Sequence, residues 1–290
     1  MTAKYSVPDD AYAALGDETR LEILFELADH YDEAWSTGWL SFSALYDLVD
    51  IDDTSRFSYH LGKLQEEFVV KEREQYRPTI AALEVVTAIR SGTYADATTR
   101  ETTIDASCPH CEAPLLARHH EHLLTLSCPD HGVSMGYPVP PIAASHQSLE
   151  TLVDLVLRRH AAHVDSLRRG VCPYCWGPAT FSFPHESVPE FTLQYDTIYA
   201  RAACEACWMS YPIPIPDLLV SHPDIRHLYA VHDLEPPATQ LGSLSLVQLS
   251  DVELLEDGKA RVTISLEETT LVVDLEESGT VDICHRITKS

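Results

Sequence analysis

Seven of the eight cysteines stand in Cys-x-x-Cys or Cys-x-x-His pairs. Thiolates at this spacing can both turn toward one metal ion from a tight turn, and Zn²⁺ takes four such ligands in a tetrahedron. The pairs form two sets of four: Cys108, Cys111, Cys128 and His131, and Cys172, Cys175, Cys204 and Cys207. A redox pair is the alternative for a single motif, but two complete sets favour two structural zinc ions with no open position for catalysis.

The two sets belong to an internal repeat. The pairs are separated by 16 residues in the first set and by 28 in the second, and each set is followed by Tyr-Pro-x-Pro, at 137–140 and 211–214. Two pairs joined by a hairpin are typical of a zinc ribbon. Among the other histidines, His119, His120 and His122 could compete with His131, but we expect them to face solvent on the first hairpin.

The segments between and after the ribbons show the hydrophobic spacing of a helix and of strands. Leu149, Leu152, Val153 and Val156 recur at helical spacing between the ribbons, and Gly170 follows as a helix stop. Toward the C-terminus, apolar residues alternate with polar ones, which predicts antiparallel strands with one buried face. The alternating residues are Val262, Ile264, Leu266, Leu271, Val273, Leu275, Val281 and Ile283. We interpret Cys284 as a small apolar residue of the last strand.

The N-terminal third shows helices and a hairpin. Asp17 is a plausible N-cap of a first helix, a second helix is predicted over about 42–49, and a third over about 55–67 after a four-residue turn. Two helices joined in this way form a helix-turn-helix. Two short extended pieces between 69 and 77 suit a wing hairpin, and a helix from Thr79 to Arg90 follows. Opposite the core face, the third helix shows Arg56, Ser58, Tyr59, His60 and Lys63.

These residues carry a family resemblance. The segment 14–24 (Ala-Leu-Gly-Asp-Glu-Thr-Arg-Leu-Glu-Ile-Leu) resembles the opening signature of ArsR-type winged-helix regulators. The segment 56–64 (Arg-Phe-Ser-Tyr-His-Leu-Gly-Lys-Leu) resembles their recognition helix, and Tyr76-Arg77-Pro78-Thr79 resembles the exit from their wing. The whole chain is similar to haloarchaeal ArsR-like regulators that append a zinc-ribbon region.

The resemblance implies a DNA interface. The recognition helix would enter the major groove, with five side chains facing DNA: Ser55, Arg56, Ser58, Tyr59 and Lys63. The wing would place Arg73 and Arg77 near phosphates. Metal-sensing members of the family carry cysteines in the helix before the recognition helix, but 42–51 contains none. Metal sensing by that route is therefore not expected.

Charge is distributed unevenly. The chain holds 45 acidic and 20 basic residues. This excess of acidic residues resembles the composition of proteins from salt-loving archaea, in which a high net charge keeps the protein soluble. Residues 54–90 nevertheless hold 6 basic and 5 acidic side chains, as a surface facing phosphates requires. The sequence shows neither a signal peptide nor an apolar run long enough to span a membrane, so we expect a cytoplasmic protein.

Two functions follow as hypotheses, and an enzyme is not expected because no catalytic constellation is apparent. The first is a homodimeric DNA-binding transcriptional regulator, with the zinc ribbons as a module for dimerisation, an effector or a protein partner. The alternative is an adaptor that docks on other proteins without reading DNA.

The predicted α+β organisation is a winged helix-turn-helix (1–92), a linker (93–107), zinc ribbon 1 (108–144), a connecting helix (145–170), zinc ribbon 2 (171–216) and a helix with antiparallel strands (217–290).

Overall fold

The structure is a computed structural model that describes residues 9–31, 38–65, 67–95, 98–108, 110–184, 197–235 and 246–288. The chain divides into two compact units, 3–96 and 97–290. Both units combine helices with antiparallel strands, which confirms the mixed α+β class. Within the described ranges, no helix is long and apolar enough to cross a membrane.

The first unit packs helices against a three-stranded antiparallel sheet of order β1-β3-β2. Its elements are α1 (Asp9–Leu15), α2 (Glu18–Asp29), β1 (Leu40–Ser41), α3 (Phe42–Tyr46), α4 (Thr54–Leu64), β2 (Val69–Glu72), β3 (Gln75–Pro78) and α5 (Ile80–Arg90). The second and third predicted helices are therefore found as α3 and α4, and each ends three residues earlier than predicted. The predicted hairpin is found as β2 and β3.

Side-chain caps fix where these helices begin. Asp17 accepts a hydrogen bond from the backbone N–H of Arg20 and starts α2, and Thr79 caps α5 through the N–H of Ala82. Such caps satisfy backbone donors that the first helical turn leaves unpaired. Behind the caps, the apolar stripes of α2 and α4 meet in one core that includes Leu24, Leu27, Phe57, Leu61, Leu64 and Val86.

A four-stranded antiparallel meander begins the second unit, formed by β4 (Arg100–Ser107), β5 (Pro114–His120), β6 (Leu123–Cys128) and β7 (Gly132–Pro138). The prediction of a linker over 93–107 is wrong for β4, which pairs with β5. In β4, Ile104 is buried and Ala106 packs against the same core. Because Ile104 is the one large apolar residue of this strand, the sequence shows little periodicity there.

One long helix connects the two cysteine-rich modules. A short helix α6 (Pro141–His146) follows β7, and α7 (Leu149–Arg168) then starts with the Ser148 hydroxyl accepting from the N–H of Thr151. The first half of α7 buries Leu152, Val153 and Val156 in the core of the meander. Its second half buries Val164 and Leu167 in a separate core farther along the chain. The helix thus packs against both modules, which its sequence alone did not decide.

The second module contains three antiparallel strands and two short helices. These are β8 (Ala179–Ser182), β9 (Tyr199–Cys204), β10 (Ser210–Pro214), a 3-10 helix (Ile215–Leu219) and α8 (Pro223–Val231). The x residues of the two Tyr-Pro-x-Pro segments, Val139 and Ile213, are both buried. The repeat therefore anchors the exit of each module by the same apolar position.

A second meander closes the chain, formed by β11 (Ser250–Leu254), β12 (Ala260–Leu266), β13 (Thr269–Leu275) and β14 (Val281–Thr288), after a short 3-10 helix (Val247–Leu249). The alternating residues of β12 and β13 are buried as predicted. Ile283 is instead 39 % exposed. It lies on β14, the edge strand, where the core covers the sheet less completely. Cys284 is half-buried on the same strand.

Candidate functional site

The first cysteine cluster lies at one end of the β4–β7 meander. Cys108 follows β4, Cys111 lies in the turn before β5, Cys128 ends β6 and His131 precedes β7. Nδ1 of His131 is 3.6 Å from Sγ of Cys108 and 3.6 Å from Sγ of Cys128, and Sγ of Cys111 is 3.6 Å from Sγ of Cys128. The structure therefore brings together all four side chains that the spacing predicts.

The second cluster has the same plan with four thiols. Cys172 and Cys175 lie in the turn before β8, Cys204 ends β9, and Cys207 lies in the turn before β10. Sγ of Cys172 is 3.7 Å from Sγ of Cys207, and Sγ of Cys175 is 3.5 Å from Sγ of Cys204. Within the described residues these two clusters are the groups of three or more His, Cys, Asp or Glu side chains that could hold a metal ion.

The donor sets fit a four-coordinate ion. In a tetrahedron with metal–sulfur bonds of about 2.3 Å and metal–nitrogen bonds of about 2.1 Å, ligand atoms lie about 3.6–3.8 Å apart. The distances in both clusters agree with this spacing. Backbone N–H groups point at the sulfurs as well, including His110 N to Cys108 Sγ at 3.5 Å and Ala206 N to Cys204 Sγ at 3.3 Å. Such donors favour thiolate, the form that binds a metal.

The thiols of the second cluster differ in acidity. Burial opposes ionisation of Cys204, but N–H donors of Ala206 and Cys207 outweigh it and lower the pKa of Cys204 to about 7. Burial, together with hydrogen bonds from neighbouring thiols, raises the pKa of Cys207 to about 12. Without a bound cation, the cluster therefore favours the thiolate form of one cysteine and opposes the ionisation of a second. A bound cation removes this repulsion and releases the remaining protons.

Aromatic side chains connect the two modules near the second cluster. The hydroxyl of Tyr137, at the exit of the first module, is hydrogen-bonded to Nδ1 of His163 on α7. The His163 ring lies 5.2 Å from that of Tyr174, which in turn lies 4.9 Å from the ring of Trp208. Burial, assisted by the charge of Arg159, lowers the pKa of His163 to about 4. His163 is therefore a neutral hydrogen-bonding partner at pH 7.

Helix α4 presents a polar face to solvent. Its N-cap, Asp53, accepts from the N–H groups of Ser55 at 2.7 Å and Arg56 at 3.1 Å. The residues predicted for this face are exposed together, namely Ser55, Arg56, Ser58, Tyr59 and Lys63. The ammonium of Lys63 lies 5.8 Å from the centre of the Tyr59 ring. The face is thus polar, with an amine held beside an exposed aromatic ring.

The β2–β3 hairpin holds the other two predicted contact residues in different environments. Arg73 is exposed at the turn, in the left-handed region with φ of 49°. Arg77 is half-buried on β3, and its guanidinium lies 5.0 Å from the centre of the Trp39 ring. Trp39 was not identified from the sequence. It directly precedes β1, and this two-residue strand reaches Arg77 only by pairing with β3, which lies far along the chain.

Two histidines occupy positions other than those predicted. His60 was expected on the exposed face of α4, but it is buried and its Nδ1 lies 3.3 Å from Oδ1 of Asp17. His119 was expected to face solvent, but it is buried and its Nε2 is hydrogen-bonded to the carbonyl of Val139 at 2.9 Å. Both rings therefore link separate elements of their own unit. Neither is a ligand in the clusters above.

Comparison with known protein families gives two matches. A domain of unknown function, DUF7347, matches residues 8–89, and a second domain of unknown function, DUF7351, matches residues 105–281. Searches of curated proteins and of solved structures find no match. The match over 105–281 contains both cysteine clusters and α7. Because it spans more than half of the 290 residues, the chain belongs to the DUF7351 family.

Proposed function

We propose that this protein is a DNA-binding transcriptional regulator whose first unit is an ArsR-like winged helix-turn-helix. The observation that carries the proposal is the exposed face of α4, where Arg56, Tyr59 and Lys63 lie together. Exposed cationic and aromatic side chains on one helix suit base edges and phosphates in the major groove. In this reading α4 is the recognition helix.

The order of elements supports this reading. Helix α3 and helix α4 are joined by the seven residues 47–53, the β2–β3 hairpin follows, and α5 comes next and contributes Val86 to the same core. This is the order that the resemblance implies, with the hairpin as the wing. Arg77, stacked on Trp39, would hold its N–H groups in a fixed orientation toward a phosphate.

The charge distribution points in the same direction. Residues 1–53 hold 2 basic and 13 acidic side chains, whereas residues 54–90 hold 6 basic and 5 acidic side chains. Negative charge is therefore reduced in the part of the chain that contains α4 and the hairpin. In molar salt, counterion release contributes little to affinity, so binding would depend mainly on base-edge contacts.

The second unit would act as a scaffold held by two Zn²⁺ ions. Zinc suits the Cys₃His and Cys₄ donor sets, and four protein ligands leave no open position for a reacting water. The ion would neutralise the thiolates and hold the turns of each module together, while α7 carries the connection between them. Dimerisation through this unit would place two α4 helices on a two-fold DNA site in the cytoplasm.

Binding to selected DNA tests the proposal. The metal-loaded full-length protein would be used to select duplexes from a random pool in molar potassium chloride. Replacing Arg56 and Tyr59 together by alanine should weaken binding to the selected duplex by about a hundredfold, because two base-edge contacts are lost. Arg158→Ala, which removes an exposed arginine of α7, serves as the matched control and should bind normally. Failure of the parent protein to enrich any duplex would contradict the proposal.

An adaptor that docks on other proteins is the second candidate, and two exposed tryptophans favour it. Trp176 and Trp208 directly follow the second cysteine of each pair in the second cluster, and they are 83 % and 69 % exposed. Exposed aromatic residues of this kind are enriched at protein interfaces. If the adaptor reading is correct, replacing both by alanine would abolish the recovery of specific partners in cross-linking experiments, and the α4 double variant would retain it.

A further inference from the structure

Gly62 lies in the last turn of α4, on its exposed face. At about 100° per residue, position 62 falls between Ser58 and Tyr59 around the helix axis. The residue is exposed, two positions before Leu64, the last residue of the helix. Glycine at an interior helical position is less favourable than alanine, since it leaves the unfolded chain more conformational freedom. A glycine at this place therefore needs a reason.

The fold itself supplies no such reason in the part of the chain that the structure describes. Gly62 does not have a positive φ, so its backbone conformation suits any L-amino acid. A methyl group added at Gly62 would meet nothing within 4 Å. The helix continues regularly past it, because the N–H of Gln65 donates to the carbonyl of Leu61 at 3.2 Å. Left-handed geometry and close packing are thus each excluded as explanations.

We propose that Gly62 marks the point at which the backbone of α4 lies against a base edge in the major groove of duplex DNA. This inference rests on the proposed function. The flanking side chains, Ser58 and Tyr59, would reach past Gly62 to either side, and Lys63 would extend along the groove. A side chain at 62 would hold the helix away from the bases and lengthen every contact made by its neighbours.

Duplex DNA is the occupant that the charge of this region fits. The exposed face around Gly62 contains Arg56 and Lys63, and the stretch 54–90 has 6 basic against 5 acidic residues in a chain with 45 acidic and 20 basic residues. An α-helix seated in the major groove brings part of its surface close to the base edges, whereas phosphates lie at the rims.

The test separates stability from binding. The full-length metal-loaded protein and its Gly62→Ala and Gly62→Leu variants would be compared on a duplex selected by the parent protein and on a scrambled duplex. Gly62→Ala should raise the melting temperature of the first unit by about 4 °C, because alanine favours the helix. It should weaken binding to the selected duplex by about tenfold and leave the scrambled duplex nearly unaffected. Gly62→Leu should weaken specific binding further.

Thr87→Ala provides the matched control. Thr87 is exposed on α5, so its replacement raises helix propensity without changing α4. It should stabilise the unit and leave both affinities unchanged.

Three results would overturn the inference. Gly62→Ala could bind the selected duplex as tightly as the parent, it could weaken both duplexes equally, or it could lower the melting temperature. The first would mean that DNA does not approach Gly62, the second that the approach is to phosphates, and the third that the fold needs the glycine. In each case the parent still binds its selected duplex, so the proposed function stands. A parent that selects no duplex would overturn both.

Discussion

The two cysteine modules share their turns and differ in their surroundings. In both, the N–H of the first cysteine donates to the carbonyl five residues on, from Cys108 to Ala113 and from Cys172 to Gly177, each at 2.8 Å. In both, the residue after the second cysteine is left-handed, with φ of 59° at Glu112 and 64° at Trp176.

The surroundings of the turns differ in core size and in exposed surface. The first module closes a core of its own, whereas the second shares a larger core with the C-terminal meander. The second also exposes two tryptophans beside its ligands. A repeated metal-binding turn can therefore be kept while the module around it acquires a different structural role.

Loss of a metal ligand should have the largest effect and should differ between the modules. Cys204→Ser removes a ligand next to the larger core, so we expect it to destabilise that core and the C-terminal meander together, by on the order of 5 kcal/mol. Cys128→Ser should disrupt the β4–β7 meander and leave the C-terminal meander folded. Metal content and hydrogen exchange of each meander would measure this. If hydrogen exchange protected both meanders equally in the two variants, the modules would not differ in how they depend on their metal ligands.

One position of the metal-binding turn is glycine in the second module and alanine in the first, so each can be replaced by the other's residue. A methyl group at Gly177 would lie 3.0 Å from Cβ of Ala206 and 3.3 Å from Sγ of Cys175, whereas the corresponding residue of the first module is Ala113. We expect Gly177→Ala to cost about 2 kcal/mol and to weaken metal retention against a chelator, because the turn is overpacked. Ala113→Gly should cost less than about 1 kcal/mol. Similar losses from both exchanges would show that the two turns are equally crowded.

A half-buried carboxyl distinguishes the exit of the second module. Asp217 lies three residues after Tyr-Pro-x-Pro, where the first module has Ala143, and burial raises its pKa from 3.8 to about 7. The folded state therefore holds this proton more tightly than the unfolded state, and stability falls as the pH rises from about 4 to 7. Asp217→Asn should remove this loss.

Thermal unfolding at two pH values measures the effect. We expect Asp217→Asn to stabilise the second unit by about 2 kcal/mol at pH 8 and by less at pH 5. Asp251→Asn, at an exposed position of β11, serves as the matched control. An equal gain at both pH values would show that ionisation of Asp217 does not oppose folding.

The smallest expected effect concerns the connection between the modules. Tyr137→Phe removes the hydroxyl that is hydrogen-bonded to His163 and should cost about 1 kcal/mol. Since the aromatic contact of His163 with Tyr174 remains, metal binding by both clusters should persist. Thermal unfolding with metal analysis would check this, and loss of metal from the second cluster would show a stronger connection than the contacts suggest.

Features set by local spacing could be predicted from the sequence. The eight metal-ligand candidates follow from cysteine and histidine spacing, and the exposed face of α4 follows from helical periodicity. The buried stripes of β12 and β13 follow from strict alternation. In each case the pattern is carried by residues within a few positions of one another, and each metal cluster combines two such pairs.

Features that depend on distant contacts could not be predicted. His60 lies at the border of the two faces of α4, and it is buried with its Nδ1 3.3 Å from Oδ1 of Asp17 on a different helix terminus. The stacking of Arg77 on Trp39 depends on the β1–β3 pairing. His119 is buried by the returning Tyr-Pro-x-Pro segment, whose Val139 carbonyl is its partner. Sequence periodicity carries no information about such pairings.

Genome-wide DNA occupancy of the tagged full-length protein, at native salt, tests the central proposal most directly. We expect discrete sites that share a two-fold sequence. These sites should disappear when Arg56 and Tyr59 are replaced by alanine, and Arg158→Ala should retain them. Absence of discrete sites, or the same sites in the α4 double variant, would contradict the proposal that this helix reads DNA.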